Sequence, residues 1–334
     1  MPSVDFLIIG AQKAGTTSLF EYMRRHPEIH MPPEKEIPFF ATDQAYRRGF
    51  DWYRERVTRN APNGAVCGTA SVGFMTGTPY RDIPLEQSDA ILLRQNGPIE
   101  EIVPLRIKAA LPNVKLLCVL RDPVERAFSH YRMAVLDGVE SQPFDIAIGR
   151  LLEPAAVIHS RAVATGHNGY VARGEYSRIL AGFLRTFSRE QLMVVFSSEL
   201  SHDADHTLSA VFDFVGVESN FAPDNLNKRY RAAAVHQRIP GLNLNIWQTR
   251  LARVRLARSL WHRMPASWRG ATSRVAAVSG YRLELWNARR NRESHHMSSS
   301  AREQLIAHFR PDSEALSALL GMEVPWLADW QSRC

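Results

Sequence analysis

Lysine is scarce in this chain. Only five of its 41 basic residues are lysines (Lys13, Lys35, Lys108, Lys115 and Lys228), so almost all of its positive charge is arginine. Cysteine is scarcer still. Cys67, Cys118 and Cys334 are scattered, with neither the spacing of a metal site nor the even number of a disulfide framework. No run of about eighteen apolar residues occurs, which excludes a helical membrane span of the usual length. Asp5 stands directly before the first apolar run, where a secretory leader would need a long apolar segment, so the expected compartment is the cytoplasm. No internal repeat is visible. What remains is ordinary for a globular protein: 334 residues, 45% of them hydrophobic, can bury one large α/β domain or two smaller ones.

Charge is unevenly placed. Residues 221–300 carry fifteen Lys and Arg against Asp224, Glu284 and Glu293, a local excess of +12 in a chain whose net charge is +7. Such a segment can attract anionic cofactors, membrane surfaces or nucleic acid, or it can be a solvated helical face. Within it, Leu244, Trp247, Leu251, Val254 and Trp261 could line one helical face, with Arg250, Arg253, Arg255 and Arg258 distributed around it.

Three stretches carry chemistry. In Phe6-Leu-Ile-Ile-Gly-Ala-Gln-Lys-Ala-Gly-Thr-Thr-Ser-Leu19 a short apolar strand feeds a loop bounded by Gly10 and Gly15, and Thr16 and Thr17 open an amphipathic helix. Unpaired backbone N–H groups and a helix N-terminus converge there, which makes an anion site. The spacing approaches the triphosphate-binding pattern G-x-x-x-x-G-K-[ST], yet Thr16 stands where that pattern needs lysine. The loop's lysine is Lys13, placed to meet the bridging oxygen of a phosphate ester instead of a β/γ-phosphate tail. A phosphate-containing donor other than ATP or GTP follows. The second stretch is Lys115-Leu-Leu-Cys-Val-Leu120 with Arg121-Asp-Pro-Val-Glu-Arg-Ala-Phe-Ser129. Pro123 is well placed to open a helix reaching Leu136. Arg121 at a strand end and Ser129 on the next helix can face one phosphate, the fork by paired N–H donors and the serine by one hydroxyl. An Arg-Asp pair at this place can equally serve as a helix cap. The third is Met31-Pro-Pro-Glu-Lys-Glu-Ile-Pro-Phe-Phe40, an extended loop whose Phe39 and Phe40 are expected to enter the core and whose Glu34 and Glu36 are the first carboxylates downstream of the phosphate loop.

Between these stretches the pattern predicts a helix over 43–60, a strand over Ala65–Phe74 running into a loop, and a helix over 99–112. Further on it predicts helices over Phe144–Leu152 and Arg173–Leu184, a strand over Gln191–Ser197 and a helix over Leu208–Gly216. A serine-capped helix over Ser300–Phe309 is expected to break at Arg310-Pro-Asp312 into a last helix ending at Gly321. Strands alternating with helices imply a parallel sheet covered on both faces, with ligands beyond the strands' carboxyl ends.

The glycine loop, Lys35-Glu36-Ile-Pro-Phe39-Phe40 and Arg121 to Ser129 together resemble the sulfotransferases that use 3′-phosphoadenosine 5′-phosphosulfate (PAPS), particularly the carbohydrate, heparan-sulfate-type branch and its bacterial relatives. The resemblance spans most of the chain. It implies an α/β, P-loop-like three-layer fold: one domain over 1–334, with a mostly parallel sheet, flanking helices and an arginine-rich helical insertion at about 221–293. It implies transfer of a sulfuryl group to the hydroxyl of a small-molecule or glycan acceptor (saccharide, lipid or secondary metabolite), with adenosine 3′,5′-bisphosphate (PAP) as product and no metal. Lys13, Ala14, Gly15, Thr16, Thr17 and Ser18 would bind the donor's 5′ side, and Arg121 and Ser129 its 3′-phosphate. Lys13 and Glu36 would be catalytic, Glu36 as base. Rival bases are His26, His30 and His130, the last expected to turn away from the site.

The chain also departs from the family. Gly68-Thr-Ala-Ser-Val-Gly-Phe74 lacks the acid, proline and tyrosine of the usual Gly-Glu-x-[Ser/Thr]-Pro-x-Tyr loop, and with them a second lysine. The contact that closes over the donor, expected near His295-His-Met-Ser-Ser299, is unassigned. A metal pair at His295 and His296 has no third ligand nearby. No specific nucleic-acid partner is expected; the charge excess of the basic segment allows a weak contact with anionic membranes. A nucleotide-dependent kinase and a non-catalytic basic binding module are the alternatives.

Overall fold

The computed structural model describes residues 2–76, 99–137, 139–162, 169–226, 230 and 296–332, together with the paired segments His236–Gln237 and Ala288–Arg289. The arginine-rich face proposed for 241–261 and His295 lie outside the described residues.

Phe6, Leu7, Ile8 and Ile9 have no polar side chain to solvate, and all four are completely buried in the strand Phe6–Gly10 (β1). A strand covered on both faces reads as a continuous apolar run, as does Lys115–Leu120 (β4), whose last five residues are buried. The sheet order is β2-β3-β1-β4-β5, where β2 is Ile29–His30, β3 is Val66–Ala70 and β5 is Leu192–Phe196. Every pairing is parallel. Parallel neighbours need crossovers, and helices such as Thr16–Met23, Ile102–Ala110 and Tyr176–Thr186 supply them. Phe6 lies opposite Gly68 in the register. A Cβ on Gly68 would fall 2.2 Å from the Phe6 ring, so the aromatic packs only because position 68 has no side chain.

The two-residue edge strand β2 was not expected, being too short to carry a period. The helix expected over 43–60 is two helices, Asp43–Tyr46 and Phe50–Thr58, divided at Gly49 with φ 84°. Phe39 and Phe40 do enter the core, Phe39 stacking on Tyr53 at 4.8 Å between centroids. The helix expected from Arg173 begins at Tyr176. Cys67 and Cys118 are buried free thiols. No described helix is long and apolar enough to cross a membrane.

The expected break at Pro311 does not occur. One helix runs from Ser299 to Leu320, its N-cap is Ser298 and not Ser300, and Gly321 ends it with φ 68°. Proline removes one backbone bond, but tertiary contacts hold both flanks. Phe309, Ser313 and Leu316 are buried, and the Asp312 carboxylate accepts from the N–H groups of Ser177 (3.1 Å) and Arg178 (3.2 Å). A further helix, Pro325–Gln331, was missed; it buries Trp326 and Trp330.

Glu175, with its side chain 3% exposed, joins three helices. It accepts from Arg161 through both oxygens (2.8 Å each), from Arg178 Nε (2.7 Å) and from His308 Nε2 (3.0 Å). Burial pushes its carboxyl pKa up, but the bonds from His308 and Arg161 and the charge of Arg178 prevail and hold it at about 2. A depressed carboxylate pKa stabilises the fold fully above the unfolded value and loses that contribution as pH falls through the folded one. Glu175→Gln should therefore lower unfolding free energy at pH 7 by about 3 kcal/mol, as for breaking a buried ion pair. In urea titrations the gap between variant and wild type should close as pH falls from 4.5 towards 2; a pH-independent gap would contradict the assignment.

Candidate active site

The carboxyl ends of β1, β4 and β5 open onto a cavity of about 1360 Å³. Lys13, Ala14, Gly15, Thr16, Thr17, Ser18, Glu36, Arg121 and Ser129 all line it. Residues more than a hundred positions apart in sequence meet there.

The loop after β1 turns sharply. Lys13 (φ 69°) and Gly15 (φ 111°) both take left-handed backbone, and Gly15 serves as N-cap of the Thr16–Met23 helix. No side chain caps that helix and no acidic residue lies in its first turn, so its positive end faces the cavity. Gly10 is required for a different reason: a Cβ there would lie 2.5 Å from Met75 Cβ. From the outer side, Arg173 donates to the Gln12 side chain, bracing the loop.

The Arg121 guanidinium is about one-third exposed, 3.5 Å from the Lys13 carbonyl and 3.7 Å from Glu125 Oε2. Its own carbonyl accepts from Tyr176 Oη at 2.9 Å. Asp122 acts as the helix cap: Oδ1 accepts from Val124 N (2.8 Å) and Glu125 N (3.4 Å), and Oδ2 from Trp330 Nε1 (3.2 Å). Burial pushes the Asp122 carboxyl up, and these bonds oppose it. Of the Arg-Asp pair, then, aspartate caps while arginine faces the cavity. Arg126, in the same stretch, is fully buried and donates to the carbonyls of Gly169 and Tyr170; burial lowers its pKa to about 10. Ser129 lines the cavity one turn beyond Glu125, and so does Arg132, which the sequence reading missed although Ser129 and Arg132 are spaced to share a helical face. Burial and then the charge of Arg121 lower the Arg132 pKa.

Glu36 reaches the cavity from the β3 side, where it bridges to Ala70. Its Oε2 accepts from Val72 N at 3.1 Å and its Oε1 from Lys35 Nζ at 2.5 Å. Lys35 was read only as part of a motif, yet it lines the cavity beside the carboxylate. Glu34 instead faces outward to Arg56 at 3.4 Å.

The three rival histidines do not line the cavity. His26 is buried, donating to the Glu218 carbonyl at 2.8 Å and accepting from Glu28 N at 3.2 Å. His130 is buried edge-on to Tyr170 at 5.0 Å, turned away as expected. His202, passed over in the sequence, does line the cavity; it sits beyond β5, across the sheet from Glu36. Trp326 and Trp330 also line the wall, a contribution invisible until the C-terminal helices fold back. Among the described residues no cluster of three His, Cys, Asp or Glu could hold a metal ion.

A glycine loop and helix N-terminus facing an arginine and a serine, at the carboxyl edge of a parallel sheet, define a P-loop-like α/β protein whose cavity has the features of an anion site. The chain belongs to the sulfotransferase family: the family model described as "Sulfotransferase domain" matches residues 3–239. Heparan sulfate glucosamine 3-O-sulfotransferase 5 of Homo sapiens is 28% identical over 220 residues, covering 66% of this chain and 55% of the relative. The membrane-associated sulfotransferase kil1 of Dictyostelium discoideum is 28% identical over 170 residues, covering 50% of this chain and 31% of that one. The chain thus spans about half the length, or less, of these curated relatives. The crystal structure of a sulfotransferase from Alicyclobacillus acidocaldarius shares the fold, with a TM-score of 0.60 at 22% identity over 99% of this chain and 100% of that one.

The loop geometry carries a stability test. Gly10→Ala should cost about 1–3 kcal/mol in urea unfolding, the usual penalty of overpacking. Gly149→Ala, whose added Cβ meets nothing within 4 Å in the Phe144–Leu151 helix, should be neutral or stabilising. Equal effects would mean that the Gly10–Met75 approach is not a constraint.

Proposed function

We propose that this protein transfers the sulfuryl group of PAPS to an acceptor hydroxyl and releases PAP. The observation that carries this is the order of groups along one cavity: Glu36 at the β3 side, Lys13 and its loop after β1, and Arg121 with Ser129 after β4. A transfer reaction needs base, transferred group and leaving group in line. Glu36 takes the acceptor's proton as its oxygen bonds to sulfur. The bond from sulfur to the 5′-phosphate oxygen breaks, and Lys13 and the loop N–H groups meet the charge that gathers there. Arg121 and Ser129 hold the 3′-phosphate, which fixes the nucleotide end. Lys35 Nζ and Val72 N each hold one Glu36 oxygen, so the carboxylate is oriented before an acceptor arrives.

The acceptor is a hydroxyl-bearing small molecule or glycan. The cavity has room for donor and acceptor together, and the relatives named for heparan sulfate glucosamine favour the glycan. A kinase reading is weaker, because Thr16 occupies the place of the lysine that would reach a β/γ-phosphate tail.

An acceptor screen with labelled PAPS tests the activity, and three substitutions test the roles. Lys13→Ala should reduce turnover about 10²-fold or more, as for loss of a placed electrostatic donor. Glu36→Gln should lower kcat about 10²–10⁴-fold while leaving PAP affinity nearly unchanged, the usual worth of a positioned base. Glu34→Gln is the control and should be close to wild type. An active Glu36→Gln paired with an inactive His202→Ala would move the base to the opposite end of the cavity.

A further inference from the structure

Glu125 lies between two arginines. Its Oε1 is 2.6 Å from Arg302 Nη2, whereas its Oε2 is 3.7 Å from Arg121 Nη2. The first is a short charge-assisted hydrogen bond; the second is an ion pair beyond hydrogen-bond length. Glu125 lines the cavity, one helical turn before Ser129. Arg302 comes from the Ser299–Leu320 helix, outside residues 3–239 that the family model matches.

A carboxylate beside a phosphate-binding arginine is a competitor. It offers the guanidinium the same kind of oxygen as the ligand, and it repels the incoming anion. The separation between Glu125 and Arg121 therefore matters for affinity. Arg121 cannot withdraw by moving its backbone, since its carbonyl is held by Tyr176 Oη at 2.9 Å. The adjustable part is the pair of side chains, and the shorter contact shows where the Glu125 charge is spent.

We infer that Arg302 is a positioning residue that sets donor affinity by drawing Glu125 away from Arg121, leaving that guanidinium for the 3′-phosphate. The inference rests on the reading of Arg121 as the 3′-phosphate contact. Without Arg302, Glu125 turns to Arg121, and the 3′-phosphate must displace a carboxylate while facing its unbalanced charge. Without Glu125, Arg302 has nothing to restrain, and Arg121 has no carboxylate competing with the ligand. The two single substitutions thus act in opposite directions, which a purely structural salt bridge would not do.

The test is calorimetric titration of the full chain with PAP and with adenosine 5′-monophosphate, which differ only by the 3′-phosphate. Arg302→Gln should weaken PAP by about fivefold, the upper range for one partly exposed charge contact, and leave adenosine 5′-monophosphate unchanged. Glu125→Gln should bind PAP as tightly as wild type or tighter. The double variant should recover the affinity of Glu125→Gln, and this rescue separates the inference from simple loss of folding. Equal weakening of both nucleotides by Arg302→Gln, or a double variant as weak as Arg302→Gln alone, would overturn it. A wild-type protein that binds both nucleotides equally would instead remove the 3′-phosphate reading itself, and the inference with it.

Discussion

β1 is hydrogen-bonded on both sides, to β3 through Phe6↔Gly68 and to β4 through Phe6↔Lys115, and the rest of the site depends on that register. The alignment brings the loop after β1 and the Arg121 turn after β4 to the same edge of the sheet. A slip of one residue would turn every buried side chain of β1 to the opposite face. Gly68 makes the alignment possible by leaving room for the Phe6 ring, and Gly10 does the same at the other end of the strand, against Met75. Two glycines and four apolar residues thus place the loop that faces the cavity.

The chemistry at that edge is a matter of charges of both signs. Lys13, Lys35, Arg121 and Arg132 face the cavity with Glu36, Asp122, Glu125, Asp205 and Asp329. Several of these charges are already engaged: Lys35 with Glu36, Asp122 with its own helix, Glu125 with Arg302. In a partly enclosed site an unneutralised charge is costly, and these contacts offset that cost.

The C-terminal helices complete this arrangement from outside the stretch matched by the family model. Trp330 reaches the cap residue Asp122, Asp312 receives the N-terminal N–H groups of the Tyr176–Thr186 helix, and Arg302 meets Glu125. The same helix supplies His308 to Glu175. These contacts explain why Pro311 does not interrupt the helix: packing along the Ser299–Leu320 segment outweighs the one bond that proline removes.

The sequence by itself determined the sheet's central strands and the principal motifs, because these are written locally: a buried parallel strand is an apolar run, and a phosphate loop is a pattern of glycines at a strand end. It also placed Glu36, Lys13, Arg121 and Ser129 in separate motifs that the fold brings to one cavity. Where the signal was short or non-local the reading stopped. Two-residue β2 carries no period, and Gly49 divides a helix that composition alone ran together. Arg132 carries no motif signal and Lys35 reads only as part of a motif until the fold turns both into the cavity. Whether Pro311 ends a helix and which arginine meets Glu125 were decided only by tertiary structure. In both cases the deciding partner (Ser177 and Arg178 on Asp312; Arg302 on Glu125) lies more than a hundred residues away. Local propensity cannot register a bond whose other half is that distant in the chain.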